Sequence, residues 1–164
     1  MKKNGFTLIE IIVAIGIFTA VITMALATFL NISNIQRKAG ALRAINDNLN
    51  FAVEMMSREI RTGKNYCASS CIGSSFNFTN SQNESVIYRM VSNSIERSSD
   101  GGASFLRLTS PEIDIDNLEF IVPSPAVSPQ PRVTIILNGS VSDPKIGELK
   151  LNIQTTISQR KLGQ

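Results

Sequence analysis

Two features of this chain have residue types and spacings that could carry chemistry: a lone carboxylate, Glu10, inside an apolar run, and the cysteine pair Cys67 and Cys71. Glu10 is the only charged side chain among the thirty residues from Phe6 to Ile35. About 20 apolar residues are enough for a helix to cross roughly 30 Å of hydrocarbon, so this run is long enough to span a membrane. A carboxylate within such a span costs a few kcal/mol or more and normally has a partner or a function. A plain anchor would not contain one.

The cysteines are the only two in 164 residues and stand in the polar stretch Tyr66-Cys67-Ala68-Ser69-Ser70-Cys71. Two thiols with no histidine and no third cysteine make a poor metal site. Outside the cytoplasm the expected state is a Cys67–Cys71 disulfide pinning a local loop; so short a ring removes little chain entropy. Two reduced, solvent-facing thiols are the bland alternative. A redox role is the weakest reading, because Cys-x-x-Cys at a helix amino terminus is the spacing that lowers a thiol pKa.

The chain has no histidine. This removes the commonest general base, the usual zinc and iron ligands and every histidine-dependent triad. No Gly-rich phosphate loop, GxSxG or pair of acids in an apolar setting is present, so neither an enzyme nor a cofactor is expected. Asp114 and Asp116 are the only closely spaced aspartates, far short of the six to eight oxygens that calcium takes, and no metal is assigned to them. The formal charge is +3, or +1 without Lys2 and Lys3, and no basic stripe with interleaved aromatics argues for nucleic acid.

The elements that must position these residues are readable from periodicity. After the apolar run, Ile35, Ala39, Leu42, Ile45, Leu49, Ala52, Val53, Met56 and Ile60 recur at spacings close to three and four, with charged residues between them. No proline precedes Pro111, and Gly40 is the one weak point in this half. One continuous helix from Thr7 to about Arg61 is predicted, on the order of 80 Å long. Its first half is apolar all round and its second half is one-sided. Downstream, 85–91, 103–108, 118–122, 132–137 and 149–157 are β-branched or aromatic and partly alternating, so they read as strands. Asp100-Gly101-Gly102, Asn138-Gly139 and Asp143-Pro144 with Gly147 read as turns, and Pro123-Ser124-Pro125 with Pro129 and Pro131 as a stiff loop. The economical arrangement is α+β, an antiparallel sheet laid against the second half of the long helix.

Lys2-Lys3-Asn4-Gly5 followed by Phe6-Thr7-Leu8-Ile9-Glu10 and an apolar run resembles the class III signal of type IV pilins and type II secretion pseudopilins. The resemblance implies cleavage by a prepilin peptidase between Gly5 and Phe6, N-methylation of Phe6, and a type IV pilin-like fold. It divides the chain into a leader (1–5), a transmembrane and filament-core segment (6–32), an amphipathic half of the same helix (33–62) and a β-rich head (63–164). With the new amine one helical turn from Glu10, the two charges can offset each other. An incoming subunit's amine can also pair with a neighbour's Glu10, favouring one axial register. The bland reading of Glu10 is snorkelling to water at the interface.

A softer resemblance covers nearly the whole chain. The stretch Met56-Ser57-Arg58-Glu59-Ile60-Arg61, with Leu118-Glu119-Phe120 and 154–160, is similar to the J-type minor pseudopilins and W-type minor pilins. The family's major subunits often have a proline near the position of Ala27; its absence here predicts a straighter helix, which fits a minor subunit or pseudopilin better, with Gly16 as a candidate flexible point. The implied partners are a prepilin peptidase, other pilin or pseudopilin subunits, and an inner-membrane assembly platform with its ATPase. The implied location is the inner membrane, single-pass with the head outside, then an extracytoplasmic filament; Lys2 and Lys3 on the cytoplasmic side agree with this orientation. The alternatives are a major filament subunit, or a membrane-tethered binding domain that does not polymerise. An ordinary secretory signal, with Ala25-Leu26-Ala27 as its small-x-small cleavage pattern, is a further rival.

Overall fold

The computed structural model describes residues 5, 7–67, 71–123, 131–145 and 147–160, with only the backbone of 71 and 72. Among these, one α-helix (α1, Leu8–Thr62) precedes eight strands: β1 Cys71–Gly73, β2 Ser75–Thr79, β3 Ser85–Val91, β4 Ser94–Ser98, β5 Leu106–Arg107, β6 Asp114–Val122, β7 Arg132–Asp143 and β8 Gly147–Ser158. The described residues fall into two compact units divided at Gly40. The first is helix alone. In the second, the rest of α1 packs on antiparallel sheet, as expected from the one-sided apolar pattern.

The predicted single sheet is two four-stranded sheets. One has the order β1-β6-β7-β8 and the other β2-β3-β4-β5, all pairs antiparallel. The chain crosses from one to the other at Gly73 and Ser74, so a single extended segment supplies an edge strand to each sheet. Both sheets feed one core. Ile45, Leu49, Ala52, Met56 and Ile60 of α1 are completely buried against Phe76, Val86, Tyr88 and Ile95 of one sheet and Ile115, Phe120, Val133, Ile135 and Leu137 of the other. The Phe76 and Phe120 rings stack with centroids 5.1 Å apart and join the sheets; Phe78 continues the stack at 5.4 Å from Phe76.

Asn138-Gly139 is not a turn. It lies within the twelve-residue β7, where Gly139 pairs with Ile115 of β6 and Leu151 of β8. A Cβ there would sit 3.0 and 3.1 Å from the Leu49 methyl carbons of α1. The glycine is therefore a place of close helix–sheet approach, a use of glycine that short-range sequence patterns cannot separate from a turn. A register shift between Ile115 and Asn117 of β6 falls beside it. The predicted strand at 103–108 is reduced to Leu106–Arg107. Upstream of it the Asp100 carboxylate accepts hydrogen bonds from Ser104 N–H (3.0 Å) and from the Ser98 hydroxyl (2.6 Å), and Gly101 and Gly102 adopt φ of 74° and 102°. Asp143-Pro144 and Gly147 do turn the chain between β7 and β8. Most of the proline-rich loop lies outside the described residues.

The end of α1 is held from three directions. Tyr66 donates its hydroxyl proton to the Ile60 and Gly63 carbonyls, Gln159 Nε2 donates to Gly63 O at 2.7 Å, and Arg160 N–H donates to Arg61 O at 2.8 Å. These satisfy carbonyls that a helix end leaves open. Gly63 is buried there, and a Cβ on it would lie 2.5 and 2.9 Å from Phe78 ring carbons. Since a packed ring cannot yield by that much, Gly63→Ala is expected to lower stability by about 2–3 kcal/mol, as overpacking does. Urea unfolding followed by near-ultraviolet circular dichroism measures this.

Candidate functional site: the amino-terminal helix

Three of the five residues singled out in the sequence fall in the amino-terminal unit. Gly5 is exposed with open space around it. Phe6 lies outside the described residues. Glu10 is exposed in the first turn of α1. Its Oε2 accepts long hydrogen bonds from the Thr7 backbone N–H (3.4 Å) and the Thr7 hydroxyl (3.5 Å). The Thr7-x-x-Glu10 spacing is that of a capping box, in which the third helical residue's carboxylate reaches back to the amide of the cap. The negative charge also suits the positive end of the helix dipole. This role of Thr7 was missed in the sequence, although Thr-x-x-Glu before an apolar run is its signature.

From Leu8 to Leu30 the side chains of α1 are exposed, among them Ile9, Phe18, Met24 and Phe29. The helix is long and apolar enough to cross a membrane. Its hydroxyls are satisfied within the helix: Thr19 donates to Ile15 O (2.7 Å), Thr23 to Thr19 O (3.0 Å) and Thr28 to Met24 O (2.9 Å). Hydrocarbon offers no other partner, so this self-satisfaction lets three threonines remain in an apolar span. One face carries a shallow hollow lined by Glu10, Ile11, Ala14, Ile15 and Phe18. The lining includes the small Ala14 between larger neighbours, with Glu10 as its one charged member. Such a surface can take an apolar helix while offering a carboxylate to a cation at one end.

The cysteines lie in the other unit. Cys67 follows the helix end in a bend with φ 34°, and its N–H donates to Asn77 O at 3.3 Å. Cys71 opens β1, paired opposite Val122; its side chain is not among those described. No group of three His, Cys, Asp or Glu gathers among the described residues. Asp116 accepts the Ser140 hydroxyl at 2.9 Å.

A second polar cluster was not legible in the sequence because its members are far apart. Arg97 of β4 donates to both carboxylate oxygens of Glu59, at 3.1 and 2.7 Å, and the Tyr88 hydroxyl donates to the same carboxylate at 2.6 Å. This fork ties α1 to the β2–β5 sheet, with both charged side chains mostly buried. Burial and then the hydrogen bond to Glu59 push the Tyr88 hydroxyl far above its ordinary pKa. Burial pushes Tyr66 up to about 12.

These are the chain's only two tyrosines. Their neutral forms are favoured in the folded state. Stability is therefore complete below the ordinary tyrosine value of 10 and falls as pH rises from 10 towards 12, where the unfolded chain has lost protons that the folded chain keeps. No tyrosinate absorbance is expected near pH 10 in the folded protein. Its later appearance should coincide with loss of near-ultraviolet dichroism.

Residues 1–26 match the family described as the prokaryotic N-terminal methylation motif. No curated protein and no solved structure matches the chain. The match takes in Gly5, Phe6 and Glu10 together with most of the exposed apolar helix. It supports a type IV pilin-like class, and with it a structural subunit rather than an enzyme.

Proposed function

We propose that the chain is a minor pilin or pseudopilin, processed after Gly5, N-methylated on Phe6, and built into a type II secretion pseudopilus or a type IV pilus whose assembly it primes or caps. The observation that carries this is the continuity of α1. A helix that begins in the matched motif with apolar, exposed side chains from Leu8 to Leu30 ends as a core element of a folded head from Ile45 to Ile60. A prepilin-type signal with an apolar helix supports a membrane-anchored, single-pass subunit that is processed by a peptidase and assembles with other pilin subunits. The hollow beside Glu10 would receive a neighbour's apolar helix, with Glu10 setting the register by pairing with the neighbour's amine. A platform and its ATPase in the inner membrane would drive the insertion, and the head would face outward.

The minor-subunit assignment draws on Met56-Ser57-Arg58-Glu59-Ile60-Arg61. In that stretch Met56 and Ile60 are core, Glu59 is the carboxylate held by Arg97 and Tyr88, and Arg61 offers its carbonyl to Arg160. A Cys67–Cys71 disulfide would tie the helix exit to the first strand of the β1-β6-β7-β8 sheet. Quantitative mass spectrometry of sheared filaments tests the assignment. A minor subunit is present far below the stoichiometry of the filament's principal component. A chain that dominates the filaments is a major subunit, and one absent from them is a tethered head.

A further inference from the structure

Just beyond the apolar run, α1 carries a one-sided polar stripe. Residues 31, 34 and 38 stand at i, i+3 and i+7, and Arg37 lies three after Asn34. Asn31, Asn34, Arg37 and Lys38 therefore share one helix face with Leu30, with Ile32 on the opposite side and Ile35 at the edge of the stripe. All four polar side chains are exposed, and neither cation has an ion-pair partner among the described residues. Elsewhere the chain does pair such groups on or near its surface, as Arg58 with Glu54 and Arg89 with Glu96 show.

The position of the stripe matters if the helix spans a bilayer, a reading on which this inference rests. Leu8 to Leu30 covers about 35 Å at 1.5 Å per residue, slightly more than the roughly 30 Å of hydrocarbon. Arg37 is about 10 Å further along, at the outer part of the headgroup layer. Side chains on an α-helix lean towards its amino terminus. On this helix that direction is back towards the membrane. Long cations at 37 and 38 thus bend down onto the phosphate layer, with the Asn34 and Asn31 amides beneath them as additional donors. The same cations placed before a span, at its amino-terminal end, would lean away from it.

We propose that Arg37 and Lys38, assisted by Asn34 and Asn31, form a binding site for the phosphate of an anionic phospholipid headgroup, with the lipid's acyl chain lying along Leu30. Two neighbouring cations near a bilayer surface complement one phosphodiester charge, and each lysine or arginine there contributes about 1 kcal/mol of attraction to anionic lipid. The site holds the subunit at a fixed depth before assembly. It must be given up when the helix leaves the bilayer, so it belongs to the membrane-resident state and not to the filament.

The chain has no tryptophan, so a Leu30→Trp variant of the full chain provides a single reporter on the same face. It is reconstituted in vesicles of two parts phosphatidylcholine to one part phosphatidylglycerol, and either lipid in turn carries bromine on its acyl chains. The expected result is quenching that reports a phosphatidylglycerol-to-phosphatidylcholine ratio at the reporter about fivefold or more above the bulk ratio, the factor for about 1 kcal/mol. The enrichment should vanish when Arg37→Gln and Lys38→Gln are added, fall with salt, and persist with Arg37→Lys. Equal quenching by both lipids would show an inserted helix with no headgroup site and would overturn the proposal. So would an enrichment unchanged in the double glutamine variant. Absence of quenching by either lipid would mean that the helix is not inserted, which removes the membrane reading and the site together.

Discussion

Glu10→Gln is expected to abolish incorporation into filaments as thoroughly as Glu10→Ala, with the protein still present in the membrane. The two substitutions differ in a way that the helix start makes informative. Glutamine at the third helical position can still accept a hydrogen bond from the Thr7 amide, so it keeps the capping box while removing the charge. Alanine removes both. A role limited to capping is worth about 1 kcal/mol and would leave the glutamine variant close to wild type. A role in pairing with a neighbour's amine in hydrocarbon is worth more, because an unpartnered charge there costs a few kcal/mol, and incorporation should fall on the order of a hundredfold for both variants. Quantifying the chain in sheared filaments against the membrane fraction decides between them. Wild-type incorporation of the glutamine variant would reduce Glu10 to a helix cap.

Phe120→Ala is expected to be the most damaging single change in the head. Phe120 is fully buried in β6 and stacks on Phe76 at 5.1 Å, at the place where the two sheets share their core. Truncating a buried phenylalanine costs about 3–5 kcal/mol, since the lost contacts are compounded by a cavity that stacked rings cannot close. A head of this size has only about 5–15 kcal/mol in total, so the variant should sit near the edge of folding. Its urea midpoint should fall by a third or more. The helical signal of the apolar segment should persist, since the side chains from Leu8 to Leu30 are exposed and take no part in that core. A near-normal midpoint would mean that the two sheets do not depend on one common core.

How much of this was readable in the sequence depends on the range of the interaction. The helix observed over Leu8–Thr62 was predicted as Thr7 to about Arg61, because apolar spacing and the absence of proline are local signals that act on every turn. β3, β6, β7 and β8 were found from their β-branched alternation, although β6 and β7 run several residues beyond the predicted limits. Ser94–Ser98 has only one apolar side chain, Ile95, and Cys71–Gly73 is three residues long, so neither gave a pattern to read. Ser75-Phe76-Asn77-Phe78-Thr79 does alternate, but it is short and lies in a polar stretch that weakens the signal. Gly139 was misread as a turn because its purpose is to admit Leu49, ninety residues earlier. The Glu59–Arg97–Tyr88 cluster and the three-sided closure of the helix end are of the same kind, since tertiary partners leave no mark in a local window. At the amino terminus the position was reversed. Gly5, Phe6 and Glu10 form a linear signal that needs no tertiary information to be read, and the capping contact between Thr7 and Glu10 is equally local.

Filament assembly of this chain depends first on the amino terminus of the mature protein. Intact-mass measurement and amino-terminal sequencing of the chain from native membranes should give a protein that begins at Phe6, carries one methyl group on its amine and has lost Met1 to Gly5. A chain that begins at Thr28, or still at Met1 in cells with an active prepilin peptidase, would contradict filament assembly and leave a secreted or tethered head.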